Sequence, residues 1–291
     1  MRVLEKLIAF TKIQGQTPDA YGKLHLACIF AVILLSLLLA VCFRDVRDKR
    51  FRLLIGLMFI VMLVGELIKQ TVYPLSIVDG AITVDYDFST FPFQLCSTPL
   101  YVLPFLCLLP DGRARDIAAA YTMSYGLLGG LAVYISPGAV FVSNMFLSCH
   151  SMLHHGLQIL TGVYTAAYYR RRIDRPFILG AIGVFTVVFG IANLLNTVVH
   201  DILIAKEILP YGDAFNMFYI SPRPEQRPMM LADLYYRVHP AIYIAGYYVT
   251  ITLAALILIY ATYLLNKLAR KHAEKVREKH IVKIALLRKN A

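Results

Sequence analysis

The sequence predicts an all-α protein that crosses the membrane several times, a polytopic bundle of seven transmembrane helices. The chain has 291 residues, of which 58% are hydrophobic, and its mean hydropathy is +0.63. Its longest apolar runs reach about 20 residues, the length with which an α-helix crosses the hydrocarbon of a bilayer. It contains neither a Gly-rich phosphate loop nor a G-x-S-x-G turn, so the common motifs of soluble enzymes are absent.

Hydropathy divides the chain into seven spans that belong to one domain, residues 1–291. The expected spans are 23–43, 53–73, 91–109, 114–135, 145–169, 177–199 and 239–265. Residues 1–22 are expected to form an interfacial segment ahead of the bundle of 23–265, and residues 266–291 a basic cytoplasmic tail. The first apolar run is long and lacks a small-residue cleavage site, so no cleavable signal is predicted.

The positions of Lys and Arg predict how the bundle is oriented. The turns after spans one, three and five carry Arg44, Arg47, Lys49, Arg50, Arg52, Arg113, Arg115, Arg170, Arg171, Arg172 and Arg175. The loops after spans two and four, 74–90 and 136–144, contain no Lys or Arg, and the tail adds nine basic residues from Lys267 to Lys289. Because basic loops stay in the cytoplasm, we expect the N-terminus outside and the C-terminus inside.

The net charge of +11 does not predict a nucleic-acid partner. Most of the basic residues lie on the predicted cytoplasmic side, where anionic lipid headgroups attract them. The tail also has an apolar stripe that suits a helix lying on the inner leaflet. We therefore expect anionic lipid at the tail and no nucleic acid, while the oligomeric state stays open.

One cysteine has surroundings that favour chemistry. The five cysteines are Cys28, Cys42, Cys96, Cys107 and Cys149. They form no C-x-x-C pair and lie in or beside apolar spans, so neither a disulfide framework nor a cysteine zinc site is indicated. Cys96 stands in STFPFQLCS near the outer end of span three, where Ser89 or Thr90 is the expected helix cap and Pro92 fits the first turn. The helix dipole favours a thiolate there, but a nearby base is still needed to activate the thiol.

Span five supplies candidate bases, because FLSCHSMLHHGLQIL places three histidines within two helical turns. His150 and His154 are four residues apart and share a face, whereas His155 is rotated from His154 by about 100°. At 1.5 Å per residue, the paired histidines lie about 14 Å below the outer surface and Cys96 about 6 to 8 Å below it. A cysteine–histidine pair follows if spans three and five are neighbours.

Two chemistries fit this combination. In the first, a histidine acts as general base and activates Cys96 for covalent acyl transfer. In the second, His150 and His154 bind zinc and activate water, which resembles the seven-helix membrane hydrolases of the ceramidase and progestin-receptor type. The third ligand would have to come from the outer end of another span, from His200, Asp201 or His239. Because no nearby third ligand is evident, the thiol chemistry is preferred.

Other polar side chains in the spans have supporting roles or indicate a rival function. Glu66 and Lys69 are three residues apart and pair along one helix face. Gln94, Asn193 and Asn196 are candidates to stabilise an oxyanion, and Glu66 is a candidate to orient a histidine. The rival is a transporter or sensor in which Glu66, Lys69 and the histidines bind a solute or relay protons. The chain lacks two similar halves, which argues against transporters built from repeats.

The loop between spans six and seven, residues 200–238, contains KEILPYGDAFNMFYISPRPEQRP. It is rich in proline, aromatic residues and arginine and is too apolar to be simply solvated. We expect it to fold back as a lid over the outer mouth of the bundle. Span seven then opens with HPAIYIAGYY, in which His239 and Tyr243 are four residues apart and face the bundle or its mouth.

Four motifs together resemble the YwaF-type integral membrane proteins of bacteria and their animal relatives, the transmembrane acyltransferases that move fatty acyl chains on ether phospholipids. The motifs are FPFQLCS, LHHGLQILTGVY, NMFYISPRP and HPAIY, and the resemblance extends from about span two to span seven. It implies a cysteine nucleophile and a histidine base nine residues before a tyrosine. On this chain these are Cys96 and His155, which precedes Tyr164, with His154 as the alternative base. The loop motif at 216–218 reads NMF where the family usually has NYM.

The expected function is therefore that of a phospholipid acyltransferase or acyl hydrolase. His155 takes the proton of Cys96, the thiolate attacks a lipid ester, and the thioester passes its acyl group to a lysophospholipid or to water. This mechanism requires no organic cofactor and no metal. The expected location is the bacterial cytoplasmic membrane, as a multi-pass protein.

Overall fold

The computed structural model describes residues 2–170, 173–209, 215–223 and 236–289. Some sequence-based expectations fall outside these ranges. They concern Arg171 and Arg172 in the turn after span five, the parts 210–214 and 224–235 of the expected lid, and the last two residues of the tail.

Helices make up most of the described residues. The helices are α1 (Arg2–Thr11), α2 (Lys23–Cys42), α3 (Asp48–Thr71), α4 (Pro99–Leu108), α5 (Arg113–Ile135), α6 (Met145–Tyr168), α7 (Arg175–Ala205) and α8 (Pro240–Lys289). Strands β1 (Leu75–Val78) and β2 (Ala81–Val84) form an antiparallel hairpin between α3 and α4, with Leu75 opposite Val84. The predicted all-helical membrane class is confirmed.

Five helices of the described chain are long and apolar enough to cross a membrane: α2, α3, α5, α7 and the first 30 residues of α8. The other two expected spans differ. The span expected at 91–109 contains only a ten-residue helix, and α6, at the place of 145–169, carries histidine, glutamine and serine side chains that lower its hydropathy. Both exceptions contribute residues to the candidate site.

α6 is the central helix of the bundle. It packs against α1, α2, α3 and α5, and 15 of its 24 residues are buried. By contrast, α2 exposes most of its apolar side chains on the outer surface, and only four residues of α3 are buried. Because polar groups are costly in hydrocarbon, a helix surrounded by protein is the one that can carry them.

The turns rich in Arg and Lys meet at one end of the bundle. Arg170, after α6, donates to the Asp45 carboxylate between α2 and α3, and this hydrogen bond lowers the pKa of Asp45. Arg115, at the start of α5, donates to Asp48 at the start of α3. Three turns that are separate in sequence are thereby joined.

The loops without Lys or Arg lie at the opposite end. Lys12, after α1, donates to the carbonyl oxygen of Tyr73 at 2.6 Å, and Gln14 forms an isolated β-bridge with Asn144 just before α6. The N-terminal segment thus joins the loop after α3 to the loop after α5. The loops after α3 and α5 therefore lie at one end of the bundle, and the basic turns after α2, α4 and α6 lie at the other.

Two of the long helices contain one turn of π-helix, at Thr122–Gly126 in α5 and at Leu195–Val199 in α7. Such turns insert an extra residue into a helix and occur frequently at functional sites. Asn196 belongs to the second π-turn, and its side chain is turned towards the loop that follows α7.

Candidate functional site

Cys96 lies in a short 3₁₀ turn, Leu95–Ser97, ahead of α4 and not inside a helix as expected. α4 begins at Pro99, whose ring nitrogen has no hydrogen to donate to the Leu95 carbonyl. The Thr98 hydroxyl donates to that carbonyl instead, at 2.6 Å. The prolines therefore delay the start of the helix and leave Cys96 on irregular backbone.

The expected helix cap also has a different role. Ser89 and Thr90 belong to a separate 3₁₀ turn, Phe88–Thr90, which Asp87 caps by accepting the Ser89 N–H at 2.8 Å. This turn ends before Pro92, so neither residue caps α4. The argument that a helix dipole acts on Cys96 from within the first turn is therefore wrong for this chain.

Two neighbouring glycines of α5 bring the Cys96 turn and α6 close together. A Cβ atom on Gly129 would lie 3.3 Å from the Cα atom of Cys96, and one on Gly130 would lie 2.8 Å from the carbonyl oxygen of His155. Small residues permit this close approach of backbones in membrane bundles. The sequence reading missed both, although the GG pair in LLGGLAV was a visible signal.

The main-chain carbonyl of Cys96 accepts hydrogen bonds from two side chains of α6. His154 Nε2 lies 3.1 Å from the oxygen, and the Gln158 amide also donates to it. A carbonyl on irregular backbone has no helical partner, so these donors replace the missing one. The Cys96 backbone and His154 thus lie side by side, and Gln158, one turn after His154, is a participant that the sequence reading missed.

His155 faces another side of α6. Its Nδ1 lies 2.7 Å from the Ser151 carbonyl oxygen, which can only accept, so Nδ1 carries the ring proton. Nε2 is then unprotonated, and it has no hydrogen-bond partner within the described parts of the chain. The residue is only 5% exposed. His155 therefore has a buried, unprotonated nitrogen that is able to accept a hydrogen bond.

Cys96 and His155 line the same cavity, which has a volume of about 200 Å³. We call it the thiol cavity. Its walls come from the Cys96 turn, from helices α5, α6 and α8, and from the loop that follows α7, and they are mostly apolar. Ala132, Ser136 and Thr250 line the cavity and are also exposed on the outside of the bundle. The cavity therefore opens sideways between α5 and α8.

Residues 215–223, the described middle of the expected lid, lie against the bundle and close one wall of the thiol cavity. Asn196 donates to the Met217 carbonyl at 2.8 Å and accepts the Met217 N–H at 2.6 Å. Gln94 forms the same kind of pair, donating to the Asn216 carbonyl at 2.9 Å and accepting the Phe218 N–H at 2.8 Å. Both amides thus hold backbone, a role that the sequence reading did not assign.

The lid segment has unusual backbone where it enters the cavity. Phe218 and Tyr219 both have φ near +57°, a conformation that costs a residue with a side chain about 1–3 kcal/mol. Both residues line the thiol cavity.

The other asparagine expected to stabilise an oxyanion, Asn193, is not among the residues that line this cavity. Its main-chain carbonyl accepts a hydrogen bond from the Thr197 hydroxyl.

Glu66 belongs to α3 and lies where α3 packs against α6. Lys69 and Gln70 each donate to its Oε1 at 2.8 Å, while His150 Nε2 is 3.6 Å from its Oε2. We call Glu66, Lys69, His150 and His154 the polar cluster. Glu66 therefore approaches His150, not His155.

The structure also corrects the expected source of a third metal ligand. Donor atoms of Glu66, His150 and His154 all lie within 4.8 Å of one another. The residues named for this role from sequence are elsewhere, and Asp201 pairs with Arg223. Glu66 is 84 residues before His150 in the chain, so only the packing of α3 against α6 brings them together.

A family model places the chain among known proteins. The TMEM164 family model matches residues 20–266, which include α2 to α7, the start of α8 and every residue of the thiol cavity. No curated protein matches the chain, and no solved structure does either. The chain belongs to the TMEM164 family, a family of transmembrane proteins.

Proposed function

We propose that this member of the TMEM164 family is a phospholipid acyltransferase or acyl hydrolase that forms a thioester on Cys96. One observation carries the proposal. Cys96 and His155, from separate elements, line one apolar cavity, and Nε2 of this histidine is unprotonated and buried, with no hydrogen-bond partner in the described parts of the chain. A thiol and a neutral imidazole that share a cavity are the components of a cysteine nucleophile activated by a general base.

The reaction has two balanced steps. His155 Nε2 takes the thiol proton, the Cys96 sulfur attacks the ester carbonyl of a phospholipid, and the lipid alcohol leaves with that proton. In the second step a lysophospholipid hydroxyl or water gives its proton to His155 and attacks the thioester. The C–S bond then breaks and the sulfur recovers the proton. No metal or organic cofactor takes part.

Gln94 is the side chain best placed to stabilise the oxyanion. It lines the thiol cavity next to Cys96, and its amide has two hydrogens, of which one bonds to the Asn216 carbonyl. The second hydrogen serves the developing charge. Asn196 donates to Met217 and lies outside the cavity wall, so its part is to hold the lid segment.

The position of the cavity suits a lipid substrate. Its sideways opening between α5 and α8 admits a molecule from the bilayer without passage through water. Its apolar walls accept an acyl chain, because a chain that enters from the bilayer exchanges one apolar environment for another. The substrates that fit are a phospholipid donor and a lysophospholipid acceptor.

We also propose that the chain crosses the membrane seven times, with the N-terminus outside and the C-terminus in the cytoplasm. The separation of basic and non-basic loops supports this orientation. Ten residues of α4 rise about 15 Å, half of a hydrocarbon core of about 30 Å, and the turns at 88–98 supply the rest of that crossing. The bacterial cytoplasmic membrane suits such a protein, with anionic lipid at the basic tail.

Intact-mass measurement of the purified protein in micelles tests the proposal. After incubation with phospholipid, the protein gains the mass of one acyl chain, and the Cys96→Ala variant gains none. Cys149→Ala is the matched control, because Cys149 lies next to the histidines in sequence but is exposed and is not among the residues that line the thiol cavity. It keeps the adduct.

A persistent adduct in Cys96→Ala, or unchanged lipid-acyl turnover in that variant, would overturn the thioester mechanism. Solute uptake into proteoliposomes that depends on Glu66 and Lys69 but not on Cys96 would favour the transporter or sensor instead.

A further inference from the structure

The polar cluster on the α3 side of α6 contains buried ligand atoms that the acyl-transfer mechanism does not use. The side chains of Glu66 and His150 are 7% and 8% exposed, and His154 is 5% exposed. His150 Nε2 and His154 Nδ1 have no hydrogen-bond partner in the described part of the chain. Unpaired polar atoms at such depth are costly unless something binds them.

His154 is already oriented as metal ligands are. Its Nε2 donates to the Cys96 carbonyl, which leaves Nδ1 as the nitrogen with a free lone pair. Histidines that bind metals almost always donate their other ring N–H to a carbonyl or a carboxylate, and this bond fixes the ring and its tautomer. The Cys96 carbonyl holds His154 in this way.

We propose that Glu66, His150 and His154 form a binding site for a divalent transition-metal ion, with zinc as the best match. Two imidazoles and one carboxylate are a zinc ligand set. Their donor atoms lie within 4.8 Å of one another, whereas ligands at zinc distances are about 3.3 Å apart. Small rotations of the three side chains close this difference and leave a fourth position for water.

Lys69 sets how strongly the ion binds. Its ammonium lies 2.8 Å from Glu66 Oε1, so Oε2, which faces His150 at 3.6 Å, is the oxygen that binds the metal. The lysine charge opposes a cation at this position. The ion therefore binds more weakly than it would beside an uncharged residue.

A bound ion would stabilise the turn that carries Cys96. Coordination at Nδ1 withdraws electron density from the ring and strengthens the Nε2–H bond to the Cys96 carbonyl. The ion would thus act on the Cys96 turn through His154 and take no part in the acyl-transfer steps. It does not depend on the proposed acyl transfer.

Zinc analysis of the full chain tests the site. The protein in micelles is stripped with a chelator, incubated with ZnCl₂, desalted, and its zinc measured by mass spectrometry. We expect about one zinc ion per chain. Affinity falls at least about tenfold in His150→Ala and Glu66→Gln, rises in Lys69→Met, and is unchanged in His155→Ala, which removes a buried histidine of the same helix.

Melting temperature provides the second measurement and a control for folding. Zinc raises the melting temperature of the native protein, because it binds the folded chain, and raises it less in the folded His150→Ala and Glu66→Gln variants. No stoichiometric zinc, or zinc that these variants bind as well as the native chain, would overturn the proposal. Cys96→Ala is expected to bind zinc normally, so this result is independent of the acyl-transfer test.

Discussion

The two sides of α6 differ in what they do with neighbouring histidines. Towards α3, His150 and His154 meet Glu66 and Lys69 in a charged cluster. Towards α5 and α8, His155 and Cys96 both line an almost wholly apolar cavity. Adjacent residues on a helix point about 100° apart, so two consecutive histidines serve different environments.

The largest expected effect distinguishes His155 from His154 as the general base. His155→Ala slows formation of the acyl adduct by about 10²–10⁴-fold, the usual contribution of a general base. His154→Ala keeps a base in the cavity and slows the reaction far less. Timed intact-mass measurements on both variants check this. A larger loss in His154→Ala, with His155→Ala still active, would assign the base to the other face.

The next largest effect tests the close packing of α5 against α6 at Gly130. In Gly130→Ala the new Cβ meets the His155 carbonyl and Ile159 at under 3.0 Å, and such overpacking costs about 1–3 kcal/mol of the free energy of unfolding. Gly190→Ala in α7 is the control, since its Cβ meets no atom within 4 Å. Thermal unfolding in micelles measures both. Equal melting temperatures would mean that α5 and α6 are not in close contact.

A smaller effect concerns the main-chain carbonyl of Cys96, which accepts hydrogen bonds from α6. Gln158→Leu removes one of the two donors to the Cys96 carbonyl and costs about 1 kcal/mol. When His154→Ala is added, the carbonyl has neither donor, and the double variant loses more than the sum of the single ones. A double-mutant cycle of melting temperatures measures the excess. Strict additivity would show that the donors do not share this acceptor.

The smallest effect lies at the basic end, far from both faces. The Asp45 side chain is 67% exposed, so Asp45→Asn costs about 0–1 kcal/mol, as surface ion pairs do. Because Arg170 lowers the pKa of Asp45 in the folded protein, this stabilisation is present above the ordinary Asp pKa of about 3.9 and is lost as the pH falls through the folded value. Unfolding at several pH values measures it. If Asp45→Asn lowered the free energy of unfolding more than Gly130→Ala does, the ion pairs at the basic end of the bundle would be a main source of stability.

The residues of the proposed catalytic pair could be predicted from the sequence, but their local structure and supporting contacts could not. Cys96 and the span-five histidines are recognisable from residue type and burial cost alone. The Cys96 turn was not recognisable, because the helix start depends on the Leu95 carbonyl finding the Thr98 hydroxyl in place of a proline nitrogen. Nor were the roles of Gln94 and Asn196, which depend on where a loop more than a hundred residues from Gln94 returns.

The sequence by itself determined the membrane class, the places of the apolar helices and the alternation of basic loops, because these follow from local hydropathy, helix length and charge. Helical periodicity also determined that His154 and His155 point in different directions. Only the tertiary structure decided what lies in each direction: Glu66 beside His150, the Cys96 carbonyl against His154, and the thiol cavity in front of His155. A helix's period fixes angles about its own axis, whereas its neighbours depend on packing between distant segments, here through the close approach that Gly129 and Gly130 permit.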